Sequence, residues 1–423
     1  MFAFLFQSRG KLLQAQIALT CCSGFYIYGY DAGVFSGSLV SPYFLKTFHH
    51  PSALMVGLVS SLFTLGGAVG AAICVVVGNS LGRKLTIQMG CVFAIVGALI
   101  EGLAKNMSTL IAGRLVSGIG LGQISSTVGI LQAETSSARH RGMMISMQMF
   151  SSASGLFLAQ WINYGFGKNG GAIAFMFPLL FQIVVLTFSF TLAFTIPESP
   201  RWLVATGRLD EAARVLARLG TKTSRPDDTD IQEVLITMEQ AVRLEHITGL
   251  GFIKSIFHSG PTQLRLRLFM SVVTGICLML AGLSVVTYYV PIMLTDFIGV
   301  SRSDSLWIGG LVSVVAIVFA IIPIFIIDRV GRLLLMKIGS TIQGICFFAI
   351  AGLYAQSSTP DFPHKRPYGI AIVSFVFIYF GAFCATWNSA AWVYAAEILP
   401  IQGRSIGMGI SVSEYLLCSI LHS

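Results

Sequence analysis

Gly78-Asn79-Ser80-Leu81-Gly82-Arg83-Lys84 lies between two long apolar runs, and Asp328-Arg329-Val330-Gly331-Arg332 lies between two others in the second half of the chain. Each is a short, glycine-bearing basic turn. A glutamate–arginine pair is duplicated in the same sense, Glu134 with Arg141 and Glu397 with Arg404, both seven residues apart. Basic turns recurring at matching places in a hydrophobic chain point to a membrane bundle built by duplication, as many transporters are. The pattern predicts an all-α, multi-pass membrane protein with two pseudo-symmetric six-helix halves.

Composition agrees. Hydrophobic residues are 55% of the 423 and charged residues 11%, against about 25% charged in soluble domains. So few charges cannot coat a water-soluble chain of this size, and the bulk must face lipid. The formal net charge of +9 is spread over short loops. It reads as membrane topology rather than as a nucleic-acid footprint, and no nucleic-acid partner is expected.

A helix needs about 20 apolar residues to cross a bilayer. Ten such spans are expected, at 17–39, 54–78, 85–103, 108–133, 143–165, 172–196, 268–294, 305–327, 333–354 and 368–394, with an eleventh starting near 405. The expected organisation is a first half over 1–196, a polar linker over 197–267 and a second half over 268–423. Six spans, a linker and another six would complete the duplication; the chain stops about one and a half spans short of that, so the second half reads as truncated, as a fragment or an incomplete gene product would be. Within the linker, Gly207 to Leu216 has the periodicity of a short amphipathic surface helix.

Lysine and arginine set the orientation. If the N-terminus and the linker share a side, that side holds twenty basic residues and the other holds six, Lys46, Lys105, Lys168, Arg302, Lys365 and Arg366. The positive-inside rule places the N-terminus and the linker in the cytoplasm. The eight cysteines all fall in apolar runs without metal-ligand spacing, and the histidines are loop or terminal residues. No metal, cofactor or catalytic nucleophile set is expected, and the chain does not read as an enzyme.

Further motifs resemble one family. Gly29-Tyr30-Asp31 with Gly33-Val34 and Ser36-Gly37, Gly113-Arg114 with Gly118, Gly120 and Gly122, and Gln132, Glu134 and Arg141-Gly142 occur in order. Trp161-Ile162-Asn163-Tyr164-Gly165, Pro197-Glu198-Ser199-Pro200-Arg201-Trp202-Leu203, the Asp328–Arg332 turn, and Trp392-Val393-Tyr394 with Glu397, Pro400 and Arg404 follow. Over essentially its whole length the chain resembles the sugar porter branch of the major facilitator superfamily, most closely the fungal hexose and disaccharide permeases.

The resemblance implies roles. Asp31 and Arg114 each lie in an apolar span, where an unpaired charge is expensive, so they are expected to pair. In proton-coupled sugar porters the matching aspartate takes up the proton opposite the matching arginine. An aspartate beside an arginine holds its charge, and takes up a proton when the two separate. The alternative is a static pair joining the first and fourth spans. The resemblance also implies clusters of charge that hold the cytoplasmic side closed: Arg83, Glu134, Arg141, Glu198 and Arg201 in the first half, and Asp328, Arg329, Arg332, Glu397 and Arg404 in the second. Asn79 and Ser80 stand where the family has an Asp-Arg pair, so gating in the first half is expected to be looser.

The expected solute pathway is Gln148, Ser284, Tyr288, Tyr289 and Trp392. Sugars call for side-chain amides, yet Leu278, Met279, Ser284 and Ala316 stand where the family places most of them, and Met149 replaces a fifth-span glutamine. The leading expectation is a plasma-membrane secondary transporter of a hexose, disaccharide or polyol, working by alternating access as a proton symporter. Its partners would be that solute, protons and the lipid bilayer. The lost amides favour a transporter of a less polar solute. The altered turn and the short second half favour a non-transporting sensor or a decayed paralogue.

Overall fold

A computed structural model describes residues 8–39, 41–136, 141–167, 171–220, 223–245, 263–281, 302–357 and 365–398. Among these residues every regular element is a helix. The first half contains α1 (Lys11–Leu39), the short α2 (Pro42–Thr47), α3 (Ala53–Leu81), α4 (Arg83–Gly102), α5 (Met107–Thr135), α6 (Arg141–Gly167) and α7 (Ala172–Thr195). The linker forms α8 (Pro200–Ala205), α9 (Leu209–Leu219) and α10 (Thr229–Glu245). The second half contributes α11 (Leu264–Leu280), α12 (Arg302–Ala320), α13 (Ile322–Val330), α14 (Arg332–Ser357), α15 (Lys365–Ala385) and α16 (Trp387–Ile398).

Local sequence explains the breaks. The turn between α3 and α4 needs Gly82, whose φ of 85° is open to glycine and costly to other residues. The matching Gly331 has φ 86°. Asn106 accepts the amide of Thr109 at 2.8 Å and caps α5. Proline opens α2, α8 and α13, where its missing N–H costs nothing. Pro323 also accounts for a correction. The span expected over 305–327 is two helices, α12 and α13, meeting at a 40° bend, because proline cannot continue the hydrogen-bond ladder.

Among the described residues, six helical stretches are long and apolar enough to cross a membrane, Leu54–Cys74, Arg83–Gly102, Met107–Thr135, Ala172–Thr195, Arg332–Gln356 and Pro367–Ala395, and the bent pair Trp307–Val330 makes a seventh when counted as one span. Helices α1 and α6, with 29 and 27 residues, have the length, but Gln16, Ser23, Asp31, Gln148, Gln160 and Asn163 on them are buried polar residues. The expected seventh span is described only as far as Ala281, and the expected eleventh lies outside the described residues.

The first half closes through α4 on α5, α3 on α5 and α1 on α6. Small residues allow this. A Cβ on Gly122 would lie 2.0 Å from the Gly67 carbonyl oxygen, so α3 and α5 touch backbone to backbone. In the second half Leu278, Val312, Ala316, Ile327, Tyr379 and Phe383 share one core. The two halves meet chiefly through α6, which packs on α12, α13 and α16. Bulky side chains such as Leu54, Phe325 and Phe348 are exposed outside, as lipid-facing positions require.

The linker, expected to carry short helices, forms three among the described residues. Leu203, Val204, Ala212, Ala213, Val215, Leu235 and Val242 bury one another between α8, α9 and α10. The amide of Gly10 donates to the Arg218 carbonyl at 2.7 Å and Gln14 Nε2 to that of Leu219 at 3.1 Å, docking α9 at the start of α1. This end of the bundle is called the linker end below.

Candidate transport site and linker-end charge clusters

Asp31 on α1 and Arg114 on α5 meet inside the first half. Arg114 Nη1 donates to Asp31 Oδ1 at 3.0 Å and to Oδ2 at 2.8 Å, and both side chains are 1% exposed. The guanidinium carbon lies 3.8 Å from the centroid of Phe35 and 5.2 Å from that of Phe63, so aromatic faces replace part of its lost hydration. A second carboxylate, which the sequence reading passed over, completes the cluster. Glu101, in the last turn of α4, has Oε2 3.8 Å from Arg114 Nε and is fully buried.

Toward the second half, Gln148 on α6 is buried and its Nε2 has no hydrogen-bond partner among the described residues. A buried amide left unbonded is costly and is available to a polar solute. Trp392 on α16 is half-buried and packs edge-on to Phe25 of α1, centroids 5.6 Å apart, so it bridges the halves. Gln160 and Trp161 on α6 face Gly309 and Gly310 on α12. The indole N–H of Trp161 has no hydrogen-bond partner among the described residues. Asn163 instead braces the bundle, donating to the carbonyls of Gly33 at 3.0 Å and Val34 at 3.3 Å. Ser284, Tyr288 and Tyr289 lie outside the described residues. Leu278, Ala316 and Ala391 sit in the apolar core of the second half.

At the linker end Arg83 grips Glu134 with two bonds, Nε to Oε2 and Nη2 to Oε1, both 3.1 Å. Ser199 Oγ donates to the same Glu134 Oε2 at 2.6 Å and accepts the amide of Trp202 at 3.3 Å, so one hydroxyl caps α8 and binds the cluster. Glu198 Oε1 accepts the Arg83 amide at 2.8 Å and Oε2 the Lys84 amide at 3.1 Å, which puts a carboxylate on the positive end of α4. Lys84 Nζ donates to the carbonyls of Phe194 at 2.7 Å and Ile196 at 3.1 Å, at the negative end of α7. Arg201 follows in the first turn of α8. Arg141 opens α6, its side chain outside the described residues.

In the second half Arg332 Nη2 lies 2.8 Å from both Asp328 Oδ1 and Glu397 Oε1. Asp328 also crosses between halves: its Oδ2 accepts the Met143 amide at 3.2 Å, at the start of α6. Gly142 makes room, since a Cβ there would fall 2.2 Å from Asp328 Oδ1. Arg329 is exposed on the last turn of α13 and joins no ion pair shown among the described residues. Arg404 lies outside them.

Comparison with known proteins agrees with this architecture. Residues 17–423 match the family model described as "Sugar (and other) transporter". The MFS-type transporter oryC of Aspergillus oryzae is 30% identical over 96% of this chain and 75% of its own length. Sugar transporter STL1 of Saccharomyces cerevisiae is 28% identical over 97% and 73%. Among solved structures, the proton:xylose symporter XylE of E. coli, bound to 6-bromo-6-deoxy-D-glucose, superposes with a TM-score of 0.82 at 22% identity, covering 96% of this chain and 86% of that one. With the two-half helical bundle, its buried charge pair and its paired linker-end clusters, the chain belongs to the sugar (and other) transporter family of integral membrane proteins.

Proposed function

We propose that this protein moves a sugar or polyol across the plasma membrane together with a proton, by alternating access, with the linker end cytoplasmic. The carrying observation is the Asp31–Arg114 pair, 1% exposed and joining α1 to α5. An ion pair taken this far from water is held by its partners and resists loss of either one. A proton on Asp31 removes the attraction, frees α1 from α5 and so makes helix movement depend on protonation. Gln148 and Trp392 stand between the halves, where an amide can bond hydroxyls and an indole can cover the apolar face of a sugar ring. The Asp328–Met143 contact and the Arg332–Glu397 pair close the linker end; alternating access requires that they part.

A second reading is favoured by one feature. Leu278, Ala316 and Ala391 are packed into core, so the second half offers few polar groups and the solute would be small or poor in hydroxyls. The deciding experiment is uptake of labelled hexoses, pentoses and polyols in a transporter-null host with and without a protonophore. Accumulation abolished by the protonophore supports symport. Uptake that only equilibrates overturns it, and no uptake by folded surface protein favours the less polar solute.

A further inference from the structure

Glu101 has no part in the transport reading above, yet it is fully buried beside the Arg114 guanidinium. Its surroundings are fixed. Arg114 on α5 faces it, with Asp31 of α1 on the far side of that guanidinium. From α7 the amide of Gln182 lies beside the same carboxyl, and α3 contributes the ring of Phe63 over the arginine. The approach is built in: a Cβ on Gly113 would lie 2.8 Å from Glu101 Cγ, so the bare residue before Arg114 admits the glutamate. Lys105, beyond the end of α4, is exposed.

Two carboxylates around one guanidinium leave a surplus negative charge if both are ionised. At a site this buried an uncompensated charge is strongly unfavourable. One proton on the cluster removes the surplus. Hydrogen-bond bookkeeping points to its holder. Asp31 takes two bonds from Arg114 as a carboxylate would. Ser117 Oγ contacts both the Arg114 carbonyl, at 3.2 Å, and Glu101 Oε1. A hydroxyl has one proton to donate, so a proton on Glu101 makes each contact a full hydrogen bond where otherwise one proton is shared between two acceptors.

We propose that Glu101 is a second proton carrier of the coupling site, holding a proton while Asp31 holds Arg114 and holding Arg114 while Asp31 holds a proton. This rests on the proton-symport reading above. The exchange balances. Glu101 loses its O–H proton, Asp31 gains one, the guanidinium moves from Asp31 to Glu101, and the cluster stays neutral. Asp31 then yields its proton to water at the linker end and re-pairs with Arg114. Glu101, near the opposite end of α4, takes the next proton from water there. One proton crosses per cycle, and the cluster carries its surplus negative charge only between release from Asp31 and uptake at Glu101.

The test is infrared difference spectroscopy on the purified full chain, following the carbonyl stretch of a protonated, buried carboxyl through a pH titration. The wild type is expected to show the band at neutral pH. Glu101→Gln loses it, Glu101→Asp keeps it at a displaced frequency, and Asp31→Asn loses it because Glu101 ionises to pair with Arg114. A band unchanged in Glu101→Gln overturns the assignment, as does one retained in Asp31→Asn. If Glu101→Gln fails to fold, an undisplaced band in Glu101→Asp overturns it equally. Proton flux driven by labelled hexoses, pentoses and polyols in proteoliposomes tests symport separately: solute uptake without proton flux in the wild type sinks the symport reading, and the band still decides whether Glu101 carries the proton.

Discussion

Asp328→Asn should open the linker end, by an amount that can be worked out. The asparagine keeps the size of the side chain and can still accept the Met143 amide, now 3.2 Å from Asp328 Oδ2; what is lost is charge. A carboxylate at a helix N-terminus contributes about 0.3–1 kcal/mol, and about 2 when partly buried. The ion pair with Arg332 adds at most about 1 kcal/mol, because Glu397 holds the same Nη2 at 2.8 Å and Asp328 is 33% exposed, which lets water and salt screen it. The total is about 1–2 kcal/mol, a factor of about 5–30 in a two-state equilibrium. Because the contact joins the halves only when the linker end is closed, its loss favours the open state. The assay places a cysteine at Ile145, which is buried on α6 in the core shared with the second half. Alkylation there by a membrane-impermeant maleimide from the linker side reports the open fraction, in a background with the exposed Cys277 changed to serine. The rate should rise about 5- to 30-fold, and the gain should shrink in 1 M salt, where the screening length is about 3 Å. Equal rates with Asp or Asn at 328 would refute the reasoning. Gly142→Ala should raise the rate through the same contact, so that the double variant adds little.

Asp31→Asn should abolish accumulation against a gradient while leaving counterflow exchange of labelled solute, because exchange needs no net proton movement; loss of both would make the pair structural. Gln148→Ala should raise KM more than it lowers kcat, by about 5- to 15-fold if one hydrogen bond of about 1–1.5 kcal/mol is removed, read from initial uptake rates. Ser199→Ala removes a cap of about 0.5–2 kcal/mol together with the bond to Glu134, and should lower the midpoint of thermal unfolding in detergent with transport of surviving protein unchanged.

Asp31 and Arg114 were legible because a charge in the middle of an apolar run has few solutions, and pairing is the cheapest. Glu101 was not, because it sits where the third span runs out, next to Lys105 and Asn106, and there an acid reads as an ordinary interfacial residue. Only the fold shows that α4 and α5 bring it back over Arg114. The duplicated basic turns were legible as turns between spans. Their contacts were less so: Ser199 serving both α8 and Glu134, and Asp328 reaching α6, depend on residues far apart in sequence. The amide losses at Leu278 and Ala316 were visible as substitutions, and the fold adds that both positions are core. The bend at Pro323 was missed because hydropathy averages over a window and does not register one absent N–H.

Glu198 and Lys84 carry opposite charges to opposite helix ends across a single seam. Glu198, just past the end of α7, sits on the amino end of α4, while Lys84, in the first turn of α4, sits on the carboxyl end of α7. The two antiparallel helices are buttoned together by two reciprocal fasteners, each using a charge from one helix on the terminus of the other. Neither can slide along its axis without undoing both. That stiffens this side of the first half into a lever arm, and leaves α6, which packs across the divide and takes the Asp328 contact, as the bearing on which the lever turns.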